Sequence, residues 1–219
     1  MADSGKVITE IQVQKRDPDR VSIFLDGEYS FGLPARLAES LSVGMKLSIK
    51  EITSLQMRAQ EQKAMQLSWD QLSRRPRTEK EIRDYLRVKN FSEEVVDTVI
   101  QKLAQMDYVD DAAFAAQWIE NRQAFRPRGR LALKVELQQK GVSKEVITSA
   151  LMDFDDIEAA YAAAKTAWRK YRNKDPETFQ KRVYGYLSRR GFNYETIRAA
   201  VEKLDMEQNM NHHSSDFTD

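Results

Sequence analysis

The sequence predicts a mainly α protein: three tandem three-helix repeats in a curved stack, preceded by a small N-terminal β module. Two observations carry that prediction. Segments 86–94, 137–145 and 187–195 superimpose without gaps, at spacings of 51 and then 50 residues. A constant period of this size marks a structural unit that stacks on its neighbours to bury its apolar face. Before residue 50 the pattern changes, and apolar residues alternate between turn signals, as in short strands.

Within the N-terminal region, Val7, Thr9, Ile11 and Val13 alternate with Ile8, Glu10, Gln12 and Gln14. Asp17-Pro18-Asp19 reads as a turn, and Val21, Ile23 and Leu25 alternate again. Asp26-Gly27 is a strong hairpin signal before Tyr29 and Phe31, so three strands are expected. Pro34 opens a short helix, and Gly44 breaks the chain before residues 46–49. From Glu51 to about Ser73 the chain is polar and helical, as one helix or two. The expected organisation is a β module over 1–50, a helical linker over 51–61, repeats over 62–109, 110–154 and 155–205, and a disordered tail over 206–219.

Each repeated segment is a helix stop followed at once by a helix start. Asn90, Gly141 and Gly191 stand where a helix ends in the left-handed conformation, which Gly and Asn enter most cheaply. Phe91, Val142 and Phe192 follow, at the position that folds back onto the last turn. Ser92, Ser143 and Asn193 are N-caps of the next helix. Val96, Val99, Ile100 and Leu103 then show helical spacing with one buried stripe, as do Ile147, Ala150 and Leu151, and Ile197, Ala200, Val201 and Leu204. The preceding helices open at a Thr78/Glu81 capping box and at Asp175-Pro176; the middle repeat has no comparable cap, and Pro127 and Gly129 only bound its loop. A further helix opens each unit and carries Trp69, Trp118 or Trp168; Asp110-Asp111 and Asp155-Asp156 precede the second and third of these as caps. Nine helices result between residues 62 and 205.

Composition narrows the function. The chain has 219 residues, 35 basic and 34 acidic, and no cysteine. Disulfides and thiolate metal sites are excluded, which fits a reducing compartment. No apolar run approaches the roughly 20 residues that span a bilayer, and the first five residues do not resemble a signal peptide. A cytoplasmic protein without membrane contact, most simply a monomer, is expected. Balanced charge argues against a simple nucleic-acid coat. Catalysis finds little support: His212 and His213 lie in the tail, and neither a P-loop nor a nucleophile–base pair can be traced. No cofactor is expected, and capping explains the Asp pairs without a metal.

One stretch combines many residues in fixed order: Tyr108-Val109-Asp110-Asp111-Ala112-Ala113-Phe114-Ala115, Trp118, Asn121-Arg122, Arg126-Pro127-Arg128-Gly129-Arg130, Glu136-Leu137 and Lys140-Gly141. It resembles the core signature of the bacterial RecX family, and residues 73–82 resemble that family's first repeat. The resemblance covers about 60–205, with Asn90 standing where the family usually has Gly. It implies a regulator of the RecA recombinase that binds within the groove of the RecA filament on DNA and usually suppresses its ATPase, strand-exchange and coprotease activities. It further implies single- or double-stranded DNA as a contact. A stand-alone DNA-binding helical-repeat module is the alternative, separable by the steep salt dependence that phosphate contacts confer.

The candidate partner- or phosphate-binding residues are Arg122, Arg126, Arg128, Arg130, Lys134 and Lys140, a cluster opposed only by Glu120 and Glu136. Pro127 and Gly129 are expected to hold Arg126, Arg128 and Arg130 in an extended loop, projecting from the stack, where carboxylate or phosphate could be gripped bidentately. Arg74, Arg75 and Arg77 occupy the equivalent loop of the first repeat. Trp118 and Trp168, in register on equivalent helices, are expected to be buried core residues rather than stacking platforms.

Overall fold

Short antiparallel strands come first in the chain. A computed structural model describes residues 5–215, with side chains as far as residue 208. Strands β1 (Lys6–Gln14), β2 (Asp17–Leu25) and β3 (Glu28–Pro34) form a meander. The β2–β3 turn places both Asp26 (φ 52) and Gly27 (φ 88) in the left-handed region, the geometry that suits the right-handed twist of a hairpin. Val21, Ile23, Leu25, Phe31 and Leu33 face inward, as period-2 alternation requires. A register shift between Ile8 and Glu10 changes the phase of β1, so Ile8 and Ile11 face the core while Val7 and Val13 are exposed.

The three-stranded expectation is corrected by a fourth strand, β4 (Lys46–Leu47), paired with Lys6 and Val7. Sheet order is β3-β2-β1-β4. Two residues are too few to show alternation, so the strand leaves no sequence signature. Between β3 and β4 lies the short helix α1 (Ala35–Ala38).

Helix α2 runs unbroken from Ile49 to Leu72. Ser48 caps it, accepting from the Glu51 amide at 3.3 Å, while the Glu51 carboxylate accepts from the Ser48 amide at 2.7 Å. The expected linker is therefore the first half of the helix that opens repeat 1. Its Ile52, Leu55 and Ala59 pack on the β-module core, whereas Ala64, Met65 and Leu72 pack on the core of repeat 1.

The helices that follow are α3 (Glu79–Val88), α4 (Glu93–Gln105), α5 (Asp111–Phe125), α6 (Arg130–Gln139), α7 (Lys144–Ala150), α8 (Asp156–Tyr171), α9 (Pro176–Ser188) and α10 (Tyr194–Ser215). Among the described residues, none between Glu79 and Leu204 belongs to a strand. Asn90, Gly141 and Gly191 have φ of 63, 89 and 85. Past each, the amide of Phe91, Val142 or Phe192 donates back to the carbonyl of Leu86, Leu137 or Leu187, closing the helix end. Ser92, Ser143 and Asn193 accept from Val95, Val146 and Thr196 amides. These interactions reproduce the stop–start reading residue by residue.

The chain divides into two compact units: residues up to 76 with 82–109, and residues 77–81 with everything from 110 onward. In the second, repeats 2 and 3 share one core. Phe114, Leu133, Leu137 and Ile147 from repeat 2 are continuous with Ala160, Ala164, Val183, Leu187, Ile197 and Leu204 from repeat 3. Burial of each of the larger side chains is worth about 1.5–3 kcal/mol. Ala159, Ala160, Ala163, Ala164 and Ala167 form the buried face of α8, and these small side chains admit α9 and α10 at short range.

The tail is a second correction. Rather than ending near 205, α10 continues to Ser215. The Tyr161 hydroxyl donates to Glu207 and Lys203 pairs with Glu158, tying this extension to α8. Residues 216–219 lie outside the described residues, as do the side chains of His212 and His213.

Candidate functional site

Within the second unit one pattern of contacts operates twice. The first aspartate of each Asp-Asp pair caps its own helix: Asp110 accepts from the Ala112 and Ala113 amides, and Asp155 from those of Ile157 and Glu158. The second aspartate reaches back into the preceding repeat. Asp111 accepts from the Glu79 amide at 2.9 Å, and Asp156 from the Arg130 amide at 2.7 Å. The cap missing from α6 is thus supplied by Asp156 from the next repeat. Each of these helix starts also grips the following repeat's helix stop: the Thr78 hydroxyl donates to the Lys140 carbonyl at 2.7 Å, and the Gly129 amide to the Arg190 carbonyl at 2.9 Å. A Cβ on Gly129 would collide with the Gly191 carbonyl, and one on Gly191 would lie 2.5 Å from Ala132 Cβ. Gly129 is therefore a contact point as well as a loop residue.

This seam consumes much of the arginine cluster, so the expectation of three projecting arginines is corrected. Arg130 is tied down rather than free: its guanidinium donates to the carbonyls of Leu151 and Phe154 and lies 3.8 Å from the Asp156 carboxylate, with 43% of the side chain exposed. Arg128 is half-buried, 3.5 Å from both Glu136 and the Arg189 carbonyl. Glu136 is the organiser of repeat 2, accepting from Trp118 Nε1 at 2.9 Å and Arg122 Nε at 2.8 Å. Arg122 also lies over the Trp118 ring at 4.5 Å, with Lys140 over it at 5.3 Å. Lys140 in turn pairs with Glu81 at 2.7 Å.

Arg126 and Lys134 remain exposed and form no ion pair among the described residues. Their neighbours are unusual. Phe125 is 77% exposed and Leu131 67%, and Leu131, Lys134 and Val135 share the solvent face of α6 by helical spacing. In the first-repeat loop Arg74 and Arg75 are exposed, the latter donating to the Pro76 carbonyl at 2.9 Å, whereas Arg77 is half-buried.

The tryptophans depart from expectation. Trp118 and Trp168 are partly buried, packing on the core with one side and carrying cations on the other. Trp69 is 41% exposed. It borders an open cleft of about 830 Å³ with Tyr29, Arg20, Arg36 and Lys63.

A set of residues in repeat 3 lies outside the sequence expectations. Arg172 lies over Trp168 at 5.4 Å, and Arg190 over Tyr186 at 3.9 Å. Lys170 and Arg182 both lie over Tyr171, at 5.4 and 5.9 Å, and Tyr171 meets Tyr186 edge to face at 6.5 Å. None of these four cations forms an ion pair among the described residues. The sequence does hold a signal for them: a 50-residue shift carries Trp118, Arg122, Glu136 and Lys140 onto Trp168, Arg172, Tyr186 and Arg190. The organising carboxylate is replaced by an aromatic ring.

Among the described residues no three His, Cys, Asp or Glu side chains converge on a metal site, and no helix is long and apolar enough to cross a membrane. The fold is that of a helical-repeat protein, with a β module ahead of three three-helix domains. Domain models of the RecX regulatory proteins match in succession: the N-terminal domain over residues 6–48, then the first, second and third three-helix domains over 64–103, 110–151 and 155–201. The chain belongs to the RecX family. It is 32% identical over 201 residues to the regulatory protein RecX of Bacillus pumilus, covering 90% of this chain and 76% of that one. It is 29% identical over 204 residues to that of Clostridium beijerinckii, covering 90% and 95%. A crystal structure of regulatory protein RecX superimposes with a TM-score of 0.68 at 29% identity, over 90% of this chain and 99% of that one. The RecX structure from Lactobacillus salivarius shares the fold, with a TM-score of 0.60 at 23% identity, covering 67% of this chain and 97% of that one.

Proposed function

We propose that this regulatory protein binds the RecA recombinase filament on DNA and inhibits its ATPase, strand-exchange and coprotease activities, acting by occupancy rather than by catalysis. One observation supports a protein partner above all: the solvent face of α6 exposes Leu131 and Val135 beside Lys134, with Phe125 bare at the end of α5. Apolar side chains interspersed with isolated cations suit the core of a protein–protein contact better than a phosphate track. The seam supports the same reading, because repeats 2 and 3 share a core and interlocking backbone contacts. Such a body can bridge successive protomers of a polymer without deforming.

The test is recombinase ATPase on single-stranded DNA, titrated with this protein. Wild type is expected to suppress turnover. Leu131→Glu/Val135→Glu is expected to raise the half-inhibitory concentration by at least about tenfold, the effect of losing about 1.4 kcal/mol of binding. Its melting temperature should hold, since both positions are exposed. Turnover unaffected by saturating wild-type protein would refute the proposal.

A further inference from the structure

The face of repeat 3 formed by α8 and α9 carries an excess of charge that the fold does not use. Between residues 165 and 190 there are nine Lys or Arg and two carboxylates, Asp175 and Glu177. Asp175 is itself occupied, accepting from the Thr178 amide at 2.9 Å to cap α9. Repeat 2 has cations at the corresponding places, but Glu136 and Glu81 hold them. In repeat 3 the rings of Trp168, Tyr171 and Tyr186 hold them instead. A ring positions a cation by its quadrupole without neutralising it. The charge is therefore fixed in place and still available to a ligand. Lys170, Arg172 and Arg182 show this most directly, since each is exposed.

We infer that this face, centred on Lys170, Tyr171, Arg182, Tyr186 and Arg190, is a binding site for the phosphodiester backbone of a single nucleic-acid strand. Its construction favours a strand over a compact anion. Lys170, Arg182 and Arg190 are spread along α8, α9 and the turn after α9, and linked through the Tyr171–Tyr186 contact. The arrangement is a track of separate positive charges, not one convergent pocket. Aromatic side chains interleaved with the cations supply surfaces on which unstacked bases rest, a feature of single-strand binders. Tyr194, 66% exposed and 5.9 Å from Tyr184, adds a further ring on the same repeat. The inference deepens the filament reading by naming the surface that meets the nucleic acid, yet its test needs no recombinase.

That test measures the anisotropy of a fluorescently labelled 20-nucleotide thymidine strand titrated with the full chain across a salt series. Wild type is expected to bind, with an affinity that falls linearly on log–log axes as salt rises. Lys170→Gln/Arg182→Gln is expected to lower affinity by about tenfold or more at low salt. It should also reduce the slope by about 1.4, at about 0.7 for each phosphate no longer neutralised. Lys15→Gln/Lys50→Gln, exposed on the N-terminal part of the chain, should leave both quantities unchanged. Circular dichroism melts confirm that each variant is folded. Wild type that fails to bind the strand would overturn the inference, as would equal affinity and slope for Lys170→Gln/Arg182→Gln. A third outcome, loss of ATPase inhibition by that variant with strand binding intact, would assign the face to an acidic protein surface and overturn it too. Failure in the anisotropy assay leaves the recombinase assay free to succeed.

Discussion

Repeats 2 and 3 place the same three-helix scaffold 50 residues apart and use it in opposite ways. In repeat 2 the carboxylate of Glu136 gathers Trp118, Arg122 and Arg128 into one network. The outward face of α6 exposes Leu131 and Val135 beside Lys134. In repeat 3 a tyrosine stands at the Glu136 position, and the cations around it remain uncompensated. Repeat 1 shares one contact of repeat 3, with Lys89 over Tyr85 at 5.7 Å, 51 residues before Lys140 and Glu136, but pairs Arg83 with Asp97 and Arg87 with Glu93. Between repeats 2 and 3, the Glu136 position marks the difference between charge neutralised internally and charge presented. The lesson concerns basic clusters generally: a count of arginines measures nothing until their partners are known.

The comparison depends on the two repeats being locked together, and Gly191 offers the most severe way to break it. A methyl group there meets Ala132 at 2.5 Å, in a backbone with φ of 85. The left-handed conformation costs a non-glycine residue about 1–2 kcal/mol, and overpacking typically adds about 1–3 kcal/mol. Gly191→Ala should therefore lose about 2–5 kcal/mol. Gly27→Ala, whose φ is 88 but whose Cβ would meet nothing, should lose only the conformational part. Urea denaturation of both variants checks this, and equal losses would mean that the seam is not tightly packed.

How much of this is legible in the sequence follows from the range of each interaction. The helix stops at Asn90, Gly141 and Gly191 and the caps at Ser92, Ser143 and Asn193 are local, set by residues within one turn, so the sequence displays them. The reach of Asp156 to Arg130 spans 26 residues, and Arg128 to the Arg189 carbonyl spans 61. No local pattern announces such pairs, so the arginine loop reads as free until its distant partners are seen. Trp118 and Trp168 recur in register, which points to the core. Recurrence fixes the helix face but not the depth, and both lie at the edge of the core with cations upon them. The 24-residue α2 reads as linker plus helix because its polar composition hides the point where it passes from one core to the next.

A more moderate effect comes from Glu136→Gln, which edits repeat 2 toward repeat 3. The amide oxygen can still accept from Trp118, but the charge holding Arg122 and Arg128 is gone. Hydrogen bonds to charged groups are worth about 1.5–3 kcal/mol when buried, and this carboxylate is 20% exposed. A stability loss of about 1–2 kcal/mol is expected by denaturant unfolding. The same variant should bind a single nucleic-acid strand with a steeper salt dependence than wild type, because two arginines are released. A shallower or identical dependence would show that Glu136 does not restrain them.

The smallest expected effect separates the two seam carboxylates. Asp111 is pushed above the ordinary aspartate value of 3.8, chiefly by burial, with the carboxylates of Glu79, Asp110 and Glu81 adding to the rise and the Glu79 amide opposing it. A carboxyl with a raised folded pKa binds its proton more tightly folded than unfolded. Its contribution to stability is therefore greatest below the unfolded value and declines as pH rises through the folded one. Asp111→Asn keeps an acceptor for the Glu79 amide without the charge, so it should abolish that decline. The stability of the variant relative to wild type should rise across the acidic window just above 3.8 and level off beyond it, with a slope of at most about 1.4 kcal/mol per pH unit. Asp156 differs in having Arg130 at 3.8 Å, an attraction worth about 0.2–1 kcal/mol at such partly exposed pairs. Asp156→Asn should accordingly weaken the protein at neutral pH, where Asp111→Asn is expected to be neutral or stabilising. Urea midpoints for both variants between pH 4 and 7 measure the two signs, and a common sign would show that burial and charge environment do not distinguish these carboxylates.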